Sequence, residues 1–189
     1  MVERLEDKMI SKEPQKSFQP ARLIVVMGVS GCGKSSVGMA LAAKMSKPFL
    51  DADDYHPPAN VAKMSRGVPL TDADRWPWLD RFAMALTQRA DASEVVVSAC
   101  SALRKSYREQ LSASAGEPIL FVYLNGSRAQ IAERLAGRKH HFMPAELLDS
   151  QFATLEPPSV DENVLVVDIG PPVDVLTDNI LKALQPIAM

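Results

Sequence analysis

The sequence predicts an α/β layered fold on a mostly parallel sheet, and three observations carry that prediction. Five short apolar runs alternate with helix-compatible stretches along the chain, the pattern of repeated strand–helix–strand units. The runs are continuously apolar, as suits strands covered on both faces. A glycine-rich loop joins the first run to the first helical stretch.

Residues 1–20 are mixed-charge and polar, with no sustained apolar period, and read as a flexible tail. Arg22–Met27 is the first strand, ended by Gly28. Lys34–Met45, rich in Ala, Leu and Met, is a helix. Pro48–Asp51 is the second strand. Residues 57–75 are polar and basic, and the stretch 55–75 reads as a mobile insertion. Trp78–Ala90 sets Leu79, Phe82 and Leu86 at helical spacing. Glu94–Ser98, with three successive valines, is the third strand, Ile119–Leu124 the fourth and Val164–Ile169 the fifth. Helices are expected at Arg104–Ala113, Arg128–Leu135 and Ala145–Thr154, with a last one at Asp174–Leu184. A second mobile insertion falls at 136–145. With no internal repeat or low-complexity linker, residues 21–189 are expected to form one domain.

Composition narrows the function. The chain has 189 residues, 47% of them hydrophobic, enough for a single packed core and too apolar for disorder throughout. A formal net charge of −2 gives no reason to expect a nucleic-acid partner. No apolar stretch reaches the ~20 residues of a membrane helix, and no apolar signal core opens the chain. Cys32 and Cys100 sit in no metal-ligand spacing and read as reduced thiols of a cytoplasmic protein.

Gly28-Val-Ser-Gly-Cys-Gly33-Lys34-Ser35 fits G-x-x-x-x-G-K-[ST]. Glycines let the backbone turn tightly and aim successive N–H groups at an anion. The helix that follows adds its positive end. Lys34 then reaches the β- and γ-phosphates of a nucleoside triphosphate, and the Ser35 hydroxyl is placed to ligate Mg²⁺.

A phosphate loop supplies a donor, so the acceptor has to be sought elsewhere. Asp51-Ala-Asp53-Asp54-Tyr55-His56 follows the second strand, at the sheet edge where ligands bind. In extended chain Asp51 and Asp53 project to one side. One carboxylate would hold a water on Mg²⁺ and the other would accept the proton of an attacking hydroxyl. Basic residues cluster downstream: Lys63, Arg66, Arg75, Arg104, Lys105 and Arg108. One or two of them would clamp an anionic substrate such as a carboxylate. Arg66, Arg75 and Arg104 are favoured for this; Lys63, Lys105 and Arg108 fit ordinary surface charge equally well. Trp76 and Trp78 either line the acceptor site or pack a helix start. Arg134, Arg138, Lys139, His140 and His141 form a second basic stretch. A loop that brings arginines to the transferring phosphoryl group would stabilise its charge and exclude water. The two histidines lack the companion ligands of a metal site.

These motifs together resemble the phosphate-loop gluconate kinases, relatives of shikimate and nucleoside monophosphate kinases, over roughly residues 22–185. The carrying segments are residues 27–35 and 50–57, Asn60 with Lys63-Met64, 69–72 with Asp74-Arg75, and Pro77-Trp78-Leu79. Residues 100–108, 141–144, Gln151-Phe152 and 154–156 complete them. The resemblance implies a three-layer α/β/α fold with a five-stranded parallel sheet and a lid near 136–145. It implies ATP-dependent, Mg²⁺-assisted phosphorylation of D-gluconate to 6-phospho-D-gluconate. Gly28, Ser30, Gly31, Cys32, Gly33, Lys34, Ser35, Ser36, Arg134 and Arg138 would bind ATP. Asp53, His56, Lys63, Arg66, Arg75 and Arg104 would bind the acceptor, with Lys34, Asp53 and Arg138 catalytic. Ser35 would hold Mg²⁺ directly and Asp51 through water. Dimerisation is common in the family, though nothing in the residues themselves speaks for it.

Two departures qualify the match. The third strand ends Val97-Ser98-Ala99 without the acid that many phosphate-loop proteins place there. The family often has lysine where this chain has Arg104, and the two are not equivalent at a bidentate site. The alternatives are a kinase for another hydroxy acid such as shikimate, or a nucleotide-dependent switch. Against the switch, no asparagine is followed by lysine, as guanine-specific switches require.

Overall fold

The computed structural model describes residues 18–90, 95–136 and 145–184. Its five strands are β1 (Leu23–Met27), β2 (Phe49–Asp51), β3 (Val96–Ala99), β4 (Ile119–Asn125) and β5 (Val164–Asp168). They form one parallel sheet in the order β2-β3-β1-β4-β5. Among the described residues seven α-helices accompany them: α1 (Lys34–Met45), α2 (Pro58–Ser65), α3 (Asp72–Arg89), α4 (Lys105–Ala115), α5 (Arg128–Ala136), α6 (Ala145–Thr154) and α7 (Val173–Leu184).

Successive strand residues face opposite sides of the sheet, and β1 shows this cleanly. Ile24 and Val26 enter the layer packed by Leu41 of α1, Ile131 of α5, Leu148 of α6 and Ile180 of α7. Leu23, Val25 and Met27 enter the opposite layer, with Phe82 of α3 and Leu111 of α4. All five β1 residues are buried, which explains why the strand reads as a continuous apolar run. The expected α/β fold is present, with β1 central and the loops after β1, β2 and β3 opening at one edge.

The stretch 55–75, expected as an insertion, carries α2 and the first turn of α3. Pro58 sits at the start of α2, where a missing N–H costs nothing. The next helix begins at Asp72 rather than Trp78. Thr71 accepts from Asp74 N–H, while Asp74 accepts from Thr71 N–H in return. This capping box starts α3 early enough to carry it through Pro77. Arg104 caps α4 rather than lying inside it. The expected tail at 1–20 is also shorter at its inner end. Phe18 packs against the core, and Gln19 N–H donates to Asn163 Oδ1 at 3.0 Å. Residues 1–17 and most of the expected lid lie outside the described residues. No described helix is long and apolar enough to cross a membrane.

Candidate active site

The loop after β1 is shaped by its glycines. Gly28 has φ +140°, and a Cβ there would meet Cys32 Sγ at 2.9 Å and Leu124 O at 3.0 Å. Gly33 caps α1 in the left-handed region, φ 104°. Other residues rarely adopt such angles. The loop therefore wraps the N-terminus of α1, an anion-binding geometry. Lys34 folds back over it, its Nζ donating to Val29 O at 3.1 Å. Cys32 is buried and points into the protein; burial pushes its thiol pKa up. Ser30 lies on the loop and Ser36 on the exposed side of the first turn of α1.

Ser35 donates to Asp51 Oδ2 at 2.7 Å, joining α1 to the end of β2. Asp51 is at the same time the cap of a 3₁₀ turn, Ala52–Tyr55, through Asp53 N–H. Asp51 and Asp53 thus meet through a turn, and the expectation of an extended pair is corrected. Solvent reaches 86% of the Asp53 side chain. Its pKa is nonetheless raised, first by the desolvating walls around it and then by the Asp51 charge. The openness of the side chain limits the first cause, which leaves the like charge of Asp51 as the firmer one.

His56 lies beyond, stacked on Trp78 with ring centroids 4.2 Å apart and 3.9 Å from Asp53 through Nε2. Burial lowers its pKa, Arg75 adds to the lowering, and Asp53 opposes it. The ring is therefore neutral near pH 7. The Trp78 indole N–H donates to Ala52 O at 2.8 Å, fixing the ring under the 3₁₀ turn. Buried Asn60 lies 3.5 Å from His56 Nδ1 and donates to Asp74 O at 2.9 Å.

The first turn of α3 joins this group to the basic residues. Asp72 accepts from Arg104 at 2.8 Å and from the Tyr107 hydroxyl at 2.5 Å, with Arg75 3.5 Å away. The Tyr107 hydrogen bond, with both arginines, holds the Asp72 carboxyl below its usual range. Both guanidinium groups lie over the Tyr107 ring, 5.6 and 5.7 Å from its centroid. Arg75 and Arg104, expected together, are together.

The other expected residues divide. Lys63 is bound to Asp74 at 2.6 Å, and Arg66, just past the end of α2, is exposed, its Nε donating to Ala62 O. Arg108 is 1% exposed and grips Glu162 with two hydrogen bonds, of 2.5 and 3.0 Å. Its third group reaches the carbonyls of Ala102 and Leu103, so the residue is internal rather than ligand-facing. Ala102 has φ 42°, a left-handed angle uncommon for alanine, in the loop that presents Arg104. Lys105 pairs with Asp161 away from this group. Arg134 lies against the phosphate loop, donating to Cys32 O at 3.2 Å and to Ile169 O. Arg138, Lys139, His140 and His141 lie outside the described residues.

Asp72, Tyr107 and Gln151 join the site without a role expected from their sequence positions. Gln151 Oε1 accepts from Ser30 N–H at 2.6 Å. Thr71-x-x-Asp74 was the readable signal for the first turn of α3. Tyr107 and Gln151 reach the site through tertiary packing and carry no local signal.

A parallel sheet, a phosphate loop on its central strand and an acidic turn beside it define a phosphate-loop phosphotransferase. Comparison with known proteins agrees: residues 23–158 match the AAA domain family model. The gluconokinase of Gluconobacter oxydans (strain 621H) is 46% identical over 177 residues, 94% of this chain and 98% of that protein. A probable gluconokinase of Mus musculus is 46% identical over 179 residues, 86% of this chain and 97% of that protein. The crystal structure of a gluconokinase from Sinorhizobium meliloti 1021 superposes with a TM-score of 0.78 at 47% identity, covering 89% of this chain and 94% of that one. The chain belongs to the gluconokinase family.

Proposed function

We propose that the protein transfers the γ-phosphoryl group of ATP to the 6-hydroxyl of D-gluconate. The observation that carries this reading is the link from Ser35 through Asp51 to Asp53, which sets a carboxylate for the acceptor beside the donor loop. The names borne by its relatives supply the acceptor.

The residues fit Mg²⁺. Ser35 Oγ and Asp51 Oδ2 are hard oxygen donors 2.7 Å apart beside the phosphate loop, and Mg²⁺ takes few protein oxygens alongside phosphate and water. When bound, Mg²⁺ neutralises charge on the phosphate oxygens. Ser35 would hold it directly and Asp51 through water. Backbone N–H groups of the loop and Lys34 hold the β- and γ-phosphates. Arg134 flanks the nucleotide, and Arg138, outside the described residues, would complete the ATP-binding set.

Asp53 accepts the hydrogen bond of the gluconate 6-hydroxyl and aims its oxygen in line with the γ-phosphorus. The O–P bond to gluconate forms as the bond to the ADP oxygen breaks, and the hydroxyl proton passes to Asp53. Neutral His56, oriented by Trp78, hydrogen-bonds the sugar acid. Arg104 and Arg75 hold its carboxylate in exchange for part of their contact with Asp72. Arg66 and Lys63 belong to the outer part of this acceptor side. A single domain over residues 21–189, cytoplasmic residence and the family's common homodimer complete the proposal; free thiols at Cys32 and Cys100 support the compartment.

A coupled assay with ATP, Mg²⁺ and D-gluconate tests the reading. Turnover no greater than in a control without acceptor would sink it. Lys34→Ala should abolish productive triphosphate binding in the same assay, and an unchanged ATP KM and kcat would contradict the role of the loop.

A further inference from the structure

One peptide group of the phosphate loop is held from both sides. Lys34 Nζ donates to Val29 O at 3.1 Å. Gln151 Oε1 accepts from Ser30 N–H at 2.6 Å. Val29 O and Ser30 N–H belong to the same planar unit, so a rotation that loses one bond loses the other. Hydrogen bonds in such a chain polarise one another: the amide oxygen that draws on Ser30 N–H strengthens Val29 O as an acceptor for the lysine.

Gln151 is presented from a fixed platform. Leu148, one turn earlier on α6, is buried, and Asp149 is ion-paired with Arg128 of α5. Beyond the helix, Glu156 N–H donates to Leu103 O at 2.8 Å, and Glu156 Oε2 accepts from Lys105 N–H at 2.7 Å. Both ends of the segment 148–156 are therefore tied down, one in the core and one on the loop that carries Arg104. Neutrality also matters at this position. A carboxylate would make the same bond and place a negative charge beside the triphosphate.

We propose that Gln151 is a positioning residue for phosphoryl transfer: it fixes the Val29–Ser30 peptide and, through Val29 O, the ammonium group of Lys34. The inference rests on the kinase reading above, which wild-type turnover tests separately in the same experiment.

The experiment compares wild type, Gln151→Met and Gln151→Glu by steady-state kinetics in both substrates, with thermal unfolding followed with and without a non-hydrolysable ATP analogue. Met keeps length and packing but removes the acceptor. Glu keeps the acceptor and adds charge. Gln151→Met should lower kcat/KM for ATP about tenfold, the weight of one hydrogen bond to a loop amide. The gluconate KM should stay within about twofold, and the analogue should stabilise the variant less than it does wild type. Gln151→Glu should keep kcat and raise the ATP KM, an increase that shrinks at high ionic strength. An unchanged kcat/KM for ATP in Gln151→Met overturns the proposal. So does a loss of kcat/KM for ATP in Gln151→Glu that stays, at high ionic strength, as large as in Gln151→Met, or a gluconate KM that moves as far as the ATP KM.

Discussion

Ser35 Oγ and Asp51 Oδ2 are 2.7 Å apart, a contact that ties the first turn of the helix behind the phosphate loop to the end of an edge strand. The pair is the proposed Mg²⁺ site, with Asp51 acting through water. Asp51→Asn keeps the shape and weakens the pull on a metal-bound water. The expected outcome is a 10–100-fold loss of apparent Mg²⁺ affinity, the usual scale for outer-shell partners of a metal, with much of kcat recovered at high Mg²⁺. An Mg²⁺ titration of activity checks this, and superimposable curves for variant and wild type would remove Asp51 from the site.

Asp53→Asn should lower kcat by about 10²–10⁴-fold, the range for a positioned proton acceptor, while ATP-analogue binding holds. Asp53 must be ionised to accept, so activity falls as pH drops through its pKa. That pKa is raised, so the acid limb of kcat/KM should lie above the ordinary aspartate value of about 3.9. Removing the neighbouring charge with Asp51→Asn, at saturating Mg²⁺, should move the limb to lower pH. A limb that stays put would deny the coupling of the two carboxylates.

The same shift has a sign for stability. A carboxyl whose pKa is raised by folding costs stability once ionised, and the cost vanishes below its unfolded pKa. Asp53→Asn should therefore melt slightly higher than wild type at pH 7 and match it near pH 3. A lower melting point at pH 7 would contradict this.

Arg104→Ala should raise the gluconate KM by about 10–100-fold, the weight of a charge-assisted hydrogen bond, and leave the ATP KM near wild type. Arg104→Lys should recover only part, since a point charge replaces a planar fork. If both substrates shift together, Arg104 supports the loop rather than the acceptor.

Glu162→Gln should destabilise the fold by roughly 3–5 kcal/mol, because it leaves the Arg108 charge buried without its partner. For a chain of this size, Tm should fall by about 10 °C. Burial pushes the Glu162 carboxyl up, but the Arg108 and Ser159 hydrogen bonds outweigh it and hold the pKa below its usual value. The contribution is full above about pH 4.3 and is lost as pH falls through the lowered folded value, an acid-side loss that Glu162→Gln should lack. Arg108→Met with Glu162→Leu should recover only part of the stability, since the Ala102 and Leu103 carbonyls lose their donor. Thermal melts at pH 7 and near pH 3 read both effects.

The strands and the phosphate loop were legible because their signals are local: continuous apolar runs and fixed glycine spacing. Strand order was not, since β3 comes to lie between β2 and β1 only through crossovers that the runs themselves do not encode. The early start of α3 was hidden by Pro77, which reads as a boundary, whereas the Thr71–Asp74 capping box carries the helix past it. In the site, Lys34, Ser35, Asp51 and Asp53 stood in one motif or one turn and could be paired by spacing. Arg104 is favoured over Arg108, four residues away, but spacing could not show that Arg108 is internal. One turn of helix sends Arg108 toward Glu162 in the interior and leaves Arg104 at the cleft, a difference set by tertiary packing. Gln151 reaches Ser30 across 121 residues of sequence.

Both cysteines sit beside the proposed site, one on the phosphate loop and one just after β3, and both are buried. Burial pushes the Cys100 thiol up to about 12 and raises Cys32 as well. Oxidants and electrophiles attack the thiolate, not the thiol. The two buried thiols beside the proposed site thus offer almost no thiolate, so turnover should persist through oxidative conditions that silence enzymes with exposed, acidic cysteines.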